Sequence, residues 1–365
     1  MGKTDYIIIG GGIVGLMTAR ELSNQGASVA IFERNKTGME SSWAAGGILS
    51  AMRPWAESTS SVLLSEQGKK LYPDYAQSLL DETGIDSEYI KSGLIISDRE
   101  HAEKTRVWAR NGNIRLVEDI ENNSDNINLP DYSLLLPDIA QVRPPRLIKA
   151  LRLSLENSPV VIYENTEITN ILLKNKQFQG VEFIGGKVIA DSVIISAGAW
   201  SKQILGNIGA EIKIQPIRGQ IVCVKSKEKI LNNIILEDAH YLMPRKDGHI
   251  LIGSTMEDVG FNNGTTKVAR KELLDWAYTV IPDLNKAVPV YHWSGLRPST
   301  ASNKPIIGQM PGFRNIYLNT GHFRKGILQA PSSAKLLVDT LSGKKSFMDI
   351  ENFNLEIAEK SLESV

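Results

Sequence analysis

An α/β fold of two parts is predicted by three observations in the sequence. The opening stretch YIIIGGGIVGLMTARELSNQGASVAIFER, Tyr6 to Arg34, runs from an apolar segment through three consecutive glycines and a helical pattern into a second apolar segment. Much later, IYLNTGHFRKGILQAPSSAKLLVD (316–339) reads as a strand, a glycine-punctuated turn and a helix. Between Ile214 and Trp293 the pattern changes to the strands IRGQIVCVK, AHYLMPRKDGHILIGS and VPVYHWSGLRP, with KVARKELLDWAYTVI as a helix over them. The first two observations predict a Rossmann-like α/β domain, and the third a domain built on a mixed, largely antiparallel β-sheet.

Taken in order, DYIIIG has the pattern of a buried strand, and Gly10-Gly11-Gly12-Ile13-Val14-Gly15 supplies G-x-G-x-x-G at its end. IVGLMTARELSNQG has helical spacing with Gly26 as its stop, and SVAIFE is a second strand ending at Glu33. The glycines have separate tasks. Gly10 permits the tight turn, Gly12 lets the backbone approach a pyrophosphate, and Gly15 lets helix pack on strand. The helix N-terminus at Ile13 and Val14 offers N–H groups and a positive dipole to the phosphates. Glu33 can accept hydrogen bonds from both ribose hydroxyls, and an acid there disfavours a 2′-phosphate. FAD and NAD both satisfy this much.

The chain beyond Glu33 selects FAD. RNKTGMESSWAAGGILS (34–50), beginning at Arg34, continues with small and hydroxyl residues rather than another simple βα repeat. Ser41, Ser42, Ala45, Gly46 and Gly47 can wrap closely around an extended cofactor and donate to a phosphate or a ring. DSVIISAGAWS (191–201) is an apolar strand ending at Ala197-Gly198, small enough for close approach to the dinucleotide. The second helix N-terminus, beyond Gly321 and Phe323, suits a flavin, whose reduced N1–C2=O region is anionic and gains from a helix dipole.

Composition narrows the partners. The 365 residues are 42% hydrophobic and 22% charged, the balance of a globular protein with room for more than one lobe. Lys+Arg equals Asp+Glu at 41 each, so no global charge draws nucleic acid or an anionic membrane. Cys223 is the only cysteine, which excludes an internal disulfide or a thiolate cluster, and its alternating apolar surroundings predict a core thiol. His240 and His322 lack partners at metal-ligand spacing, so no metal is expected. The apolar stretch from Ile7 to Met17 is too short to span a bilayer, and a cytoplasmic protein is expected.

SSWAAGGILSAMRPW, VRPPRLIKAL, YLMPRKDGHILIGSTMED, HWSGLRPSTASNKPIIG and GHFRKGILQAPSSA, in this order, resemble the glycine oxidases of the thiamin-thiazole pathway, within the D-amino acid oxidase superfamily of FAD-dependent oxidoreductases. The similarity covers essentially the whole chain, and the last three segments are the specific ones. It implies a second sheet that roofs the flavin and carries the substrate site. The FAD-binding domain is then discontinuous, at 1–80, 141–213 and 300–365, with a substrate domain at 81–140 and 214–299. Within these, GLIISDREHAEKTRVWARNGN has strand–helix character and PPRLIKALRLSLEN is a helix. VVIYENTEITNILLKNKQFQGVEFIGGKVIADSVIISAG forms alternating strands with a Gly185-Gly186 hairpin turn. ENNSDNINLPD is expected as an exposed loop and LEIAEKSLESV as a frayed end.

The resemblance also implies roles. Arg297 in SGLRPST, at a predicted strand end, matches the arginine that pairs with the substrate carboxylate, a task suited to the planar guanidinium fork. Tyr241 matches the tyrosine whose hydroxyl assists that carboxylate, Arg324 a second active-site arginine beside the flavin, and Met256 a pocket-lining methionine. FAD is held noncovalently, with further contacts at Ile168, Arg324, Lys325, Gly326 and Ile327, the last two through N–H groups facing the flavin pyrimidine edge. Ala239 and Ile48 stand where some bacterial glycine oxidases have histidine and methionine, which leaves the exact substrate open. Met52, Arg53 and Trp55 follow in a loop able to narrow the entrance.

The implied reaction oxidises glycine, sarcosine or small D-amino acids to an imine, which hydrolyses to the 2-oxo acid and ammonia while O2 becomes H2O2. Two other readings use the same residues. One is a D-amino acid or sarcosine dehydrogenase that passes electrons to a quinone. The other is a flavoprotein that modifies residues of a partner protein. A homo-oligomer stays open, and nucleic acid is not an expected partner.

Overall fold

A computed structural model describes residues 4–118, 120 and 127–355, so most of ENNSDNINLPD and nearly all of LEIAEKSLESV lie outside the described residues. Contacts group the chain into two compact units, Met1–Met39, Leu151–Gln215 and Pro298–Val365 in one, Glu40–Ala150 and Pro216–Arg297 in the other. Residues 40–80 and 141–150, placed by the sequence reading with the nucleotide-binding pieces, group with the second unit.

The first unit is built on a sheet ordered Ile306–Gln309, Ile316–Thr320, Gly186–Ile195, Thr4–Ile9, Val29–Phe32, Val160–Tyr163. The last five of these strands are parallel and the first is antiparallel. Ile7, Ile8, Val29, Ile31 and Phe32 are all buried, as expected of near-continuous apolar strands covered on both faces. The helix Ile13–Asn24 leads from the first strand to the second and packs along the helix Gly326–Leu341. Strand order reverses between Thr4–Ile9 and Gly186–Ile195. In such a sheet that reversal opens a crevice at the carboxyl ends of the strands.

A hairpin extends this sheet, Gln177–Phe183 pairing with Gly186–Ile189 of the long strand. Its two-residue loop is Ile184-Gly185, one residue earlier than the sequence reading placed it. Gly185 takes the positive φ of 108° that the turn needs, while Gly186 already lies in the strand.

The second unit carries a seven-stranded sheet ordered Val288–Thr300, Ile214–Lys225, His249–Gly253, His240–Pro244, Ile234–Glu237, Leu94–Ile96, Leu134–Leu136. Ile234–Glu237 pairs in parallel with Leu94–Ile96 and its other neighbour is antiparallel, so the sheet is mixed as expected. The helix Lys267–Val280 buries Leu273 and Ala277 in one apolar cluster with Val222, Leu242 and Ile252. Cys223 is buried on the other face, beside Leu251 and Met243, and burial pushes its thiol up to about 11. It is a packing residue.

Three local features differ from the sequence reading. The strand carrying Arg297 continues through Pro298 to Thr300, because it is an edge strand and can absorb a residue without an N–H. Ser41–Ala44 is a single helical turn rather than open loop. The 25-residue helix Thr59–Thr83 is unannounced, since Pro73 and Gly68 interrupt its pattern. It begins where Ser58 Oγ accepts the Ser61 N–H at 3.3 Å and ends at Gly84, whose φ is 68°. Among the described residues, no helix is long and apolar enough to cross a membrane.

Candidate active site

At the switch point of the first unit, Gly10 has φ 113°, and a Cβ there would stand 2.5 Å from the Ser196 carbonyl oxygen. A Cβ on Gly15 would run into the Gly10 carbonyl. Both glycines are therefore demanded by the protein's own backbone. Gly12 is different. It caps the helix Ile13–Asn24 with φ −73° and ψ 177°, a conformation open to any residue, and no side chain caps the helix there.

Glu33 follows the Val29–Phe32 strand and is buried, with Oε2 accepting the Gly11 N–H at 2.8 Å and Oε1 the Asn35 N–H at 3.0 Å. The carboxylate thus pins the glycine turn. Arg34 stacks its guanidinium carbon 3.8 Å from the centroid of Trp200, just beyond the Ala197-Gly198 turn. Trp200 was not singled out by the sequence. Ile168 opens its strand with its side chain in the apolar core, so a cofactor contact there would use its backbone.

The other glycine turn of this unit leads from Ile316–Thr320 to the helix Gly326–Leu341. Gly321 has φ 78° and a Cβ on it would meet Thr300 Cγ2 at 2.6 Å, while Phe323 carries a positive φ of 50°. His322 is buried, and desolvation aided by Lys325 pushes its imidazole down to about 3, so it is a neutral part of the turn. Lys325 is buried too, with Nζ 3.5 Å from the Asn303 carbonyl, and Arg324 is half-buried between them. No side chain caps this 16-residue helix. Two uncapped helix starts, each reached through a glycine turn, and one buried acid form a donor and acceptor set that fits FAD.

In the second unit, Arg297 and Tyr241 are each seated over a glycine of the mixed sheet, Gly219 and Gly253 on adjacent strands. Arg297 lies flat across Gly219 of the neighbouring strand, where a Cβ would collide with the guanidinium. One terminal nitrogen donates to the Thr255 carbonyl at 3.1 Å and the other to Ser254 Oγ at 2.9 Å. Tyr241 lies across Gly253, the residue before Ser254, and its ring would be struck by any Cβ at Gly253. A Cβ at Gly46 would stand 2.7 Å from its hydroxyl. Two predicted groups are thus seated by glycines that the sequence reading did not connect with them. Gly219→Ala should fold normally, since its backbone is outside the left-handed region and the atom in the way is the end of a flexible side chain. It should still displace the fork, lowering kcat/KM for glycine on the order of a hundredfold while Tm and flavin content hold. Unchanged kinetics would show that Arg297 is not the group that matters.

The segment containing Ser41 to Gly47 is tied to the same sheet. Ser41 Oγ donates to the Leu296 carbonyl, and the Trp293 indole donates to the Ala44 carbonyl at 3.0 Å. Arg245, buried and pushed down to about 10 by desolvation, donates to the carbonyls of Gly46 at 2.5 Å and Val142 at 2.9 Å. Ile48 and Met52 pack against the apolar cluster that includes Tyr241. Arg53 reaches Asp238 at 3.0 Å. Met256 is 60% exposed, so it is not core filling. His240 stacks on Trp276, and among the described residues no three His, Cys, Asp or Glu side chains gather to hold a metal.

A Rossmann-type sheet with this donor set, joined to a mixed sheet carrying an arginine fork, defines a flavin-dependent oxidoreductase. The family of FAD dependent oxidoreductases designated DAO matches residues 5–340, and the chain belongs to it. Glycine oxidase of Pseudomonas aeruginosa is 37% identical over 350 residues, covering 94% of this chain and 96% of that protein. Glycine oxidase of Pseudomonas putida is 35% identical over 349 residues, covering 94% and 96%. The crystal structure of glycine oxidase from Geobacillus kaustophilus matches with a TM-score of 0.89 at 27% identity, over 98% of this chain and 99% of that one.

Proposed function

We propose that this chain is a glycine oxidase that binds FAD noncovalently and converts glycine, O2 and water to glyoxylate, ammonia and H2O2. The observation that carries the reading is the Arg297 fork, fixed by Ser254 and Thr255 over the same sheet as Tyr241. A free amino acid offers a carboxylate to grip and an α-carbon to oxidise, and a planar guanidinium grips a carboxylate at two points.

The bound flavin would supply the two-electron acceptance and its return to O2. Gly10 and Gly15 shape the turn, Gly12, Ile13 and Val14 face the pyrophosphate, and Glu33 takes the ribose, with Arg34, Ala197 and Gly198 beside it. Ser41, Ser42, Ala45, Gly46, Gly47 and the backbone of Ile168 add contacts. Gly321, Phe323, Arg324, Lys325, Gly326 and Ile327 serve the ring end, where the helix dipole stabilises negative charge. Arg297 holds the carboxylate, Tyr241 donates its hydroxyl to it, and Arg324 is a second active-site cation. These contacts fix the α-carbon, so reaction needs no nucleophile from the protein. A cytoplasmic location and a place in thiamin-thiazole formation complete the proposal.

Tyr241, Ile48 and Met52 share one packed cluster, and this crowding favours small substrates. Glycine and sarcosine should therefore be turned over faster than bulky D-amino acids, and L-amino acids should fail. The check is oxygen uptake with glyoxylate, ammonia and peroxide measured together for each substrate. A preference for bulky D-residues, or turnover with a quinone but not with O2, would overturn the reading.

A further inference from the structure

A cluster of largely buried polar groups is bonded to Thr255, the residue whose carbonyl accepts from Arg297. Arg218 is buried, and it donates to Glu257 Oε2 at 2.5 Å and to the Gly264 carbonyl at 2.9 Å. Glu257 Oε1 also accepts from Gln220 Nε2 at 2.8 Å and from Thr255 Oγ1 at 2.5 Å. Thr255 Oγ1 in turn accepts the Gln220 backbone N–H at 2.9 Å. Two further backbone bonds, Arg218 N–H to the Glu257 carbonyl and the reverse, both 2.9 Å, close the frame. Burial alone would raise the Glu257 carboxyl, yet its bonds from Arg218, Thr255 and Gln220 hold it well below the usual carboxylate range.

We propose that the Arg218–Glu257–Gln220 cluster is a positioning device for Arg297, acting through Thr255, whose hydroxyl it grips and whose carbonyl holds the guanidinium. The geometry is a relay of fixed bonds. The carboxylate stays charged at any working pH and anchors the Thr255 side chain. The Thr255 carbonyl is thereby aimed at one terminal nitrogen of Arg297, and the adjacent Ser254 hydroxyl meets the other. The fork then faces the substrate with its plane already set, so less rotamer freedom is lost when a carboxylate binds. Gln220 extends the frame to Thr266, accepting its N–H at 2.8 Å, and Thr266 Oγ1 caps the helix Lys267–Val280. Arg218, Gln220 and Glu257 are positioning residues, since none is assigned to substrate or cofactor.

The inference rests on the proposed carboxylate anchor, and its test separates the two. Thr255→Val keeps the side-chain shape and the Arg218–Glu257 pair but removes the hydroxyl, whereas Thr255→Ser restores it. Thr255→Val should raise KM for glycine about tenfold with kcat changed much less, as loss of one orienting hydrogen bond predicts. Reduction of the flavin by an uncharged analogue, glycine ethyl ester, should stay near wild type, and Thr255→Ser should return KM for glycine toward the wild-type value. Glu257→Gln should show the same split if it folds. Equal losses with glycine and the ester would mean a general structural defect and overturn the inference. So would a Thr255→Val enzyme matching wild type beside an impaired Arg297→Ala enzyme. An Arg297→Ala enzyme as active as wild type would overturn the anchor itself, and the inference with it.

Discussion

Arg297→Ala should lower kcat/KM for glycine by about thirtyfold to several thousandfold, the largest kinetic effect expected of any single change that leaves the flavin bound. Removing one partner of a hydrogen-bonded charge pair costs roughly 2–5 kcal/mol, because the other charge remains desolvated. Arg297→Lys should recover only part of the loss. An ammonium keeps the charge, but it lacks the flat face that fits over Gly219 and the second nitrogen that reaches Ser254. Flavin content and Tm should remain near wild type, because the guanidinium is seated on a strand surface rather than in the core. Rapid-mixing measurements of flavin reduction by glycine in the three enzymes check this. If Arg297→Ala reduces as fast as wild type, the carboxylate is held elsewhere, and Arg324 becomes the candidate.

Gly12→Val should abolish FAD binding and leave the polypeptide folded. The contrast with its neighbours makes the test specific. Valine at Gly10 or Gly15 would strike the protein's own carbonyls, so loss of flavin there would report misfolding. At Gly12 the backbone φ of −73° accepts a side chain, and the position caps a helix without a side-chain partner of its own. The branched side chain would then occupy the approach to the pyrophosphate. Flavin absorbance of the purified variant, read beside its circular dichroism and Tm, decides it. A folded variant that retains stoichiometric FAD would remove Gly12 from the cofactor site.

Much of the fold is legible in the sequence because local rules suffice for it. Ile7 to Ile9, Ile13 to Asn24 and Val29 to Phe32 each have the period of their element, and the glycines between them have single stereochemical purposes. The mixed second sheet is legible for the same reason. Elements that break the local rules are not. Thr59–Thr83 is a helix despite Pro73, and Ser41–Ala44 folds into a turn of helix because it is bonded to Leu296 and Trp293, far along the chain.

The site divides in the same way. Arg297 and Tyr241 are visible as residue types in family-like motifs, but their seats are not. Gly219 and Gly253 look like ordinary strand glycines until the sheet lays a guanidinium and a phenol across them. The Arg218–Glu257 pair joins two strand-like segments that no spacing rule connects. Met256 is mostly exposed, which excludes core filling, an alternative that its residue type left open.

The central claim is that glycine itself reduces a flavin held by this chain. The direct measurement is an anaerobic titration of the purified yellow holoprotein with glycine, followed in the visible flavin band. The account predicts full bleaching by glycine, return of the colour on admitting air with one H2O2 per flavin, and no bleaching by L-amino acids. Holoprotein that stays yellow in excess glycine, at a pH where part of the amine is neutral, would contradict it.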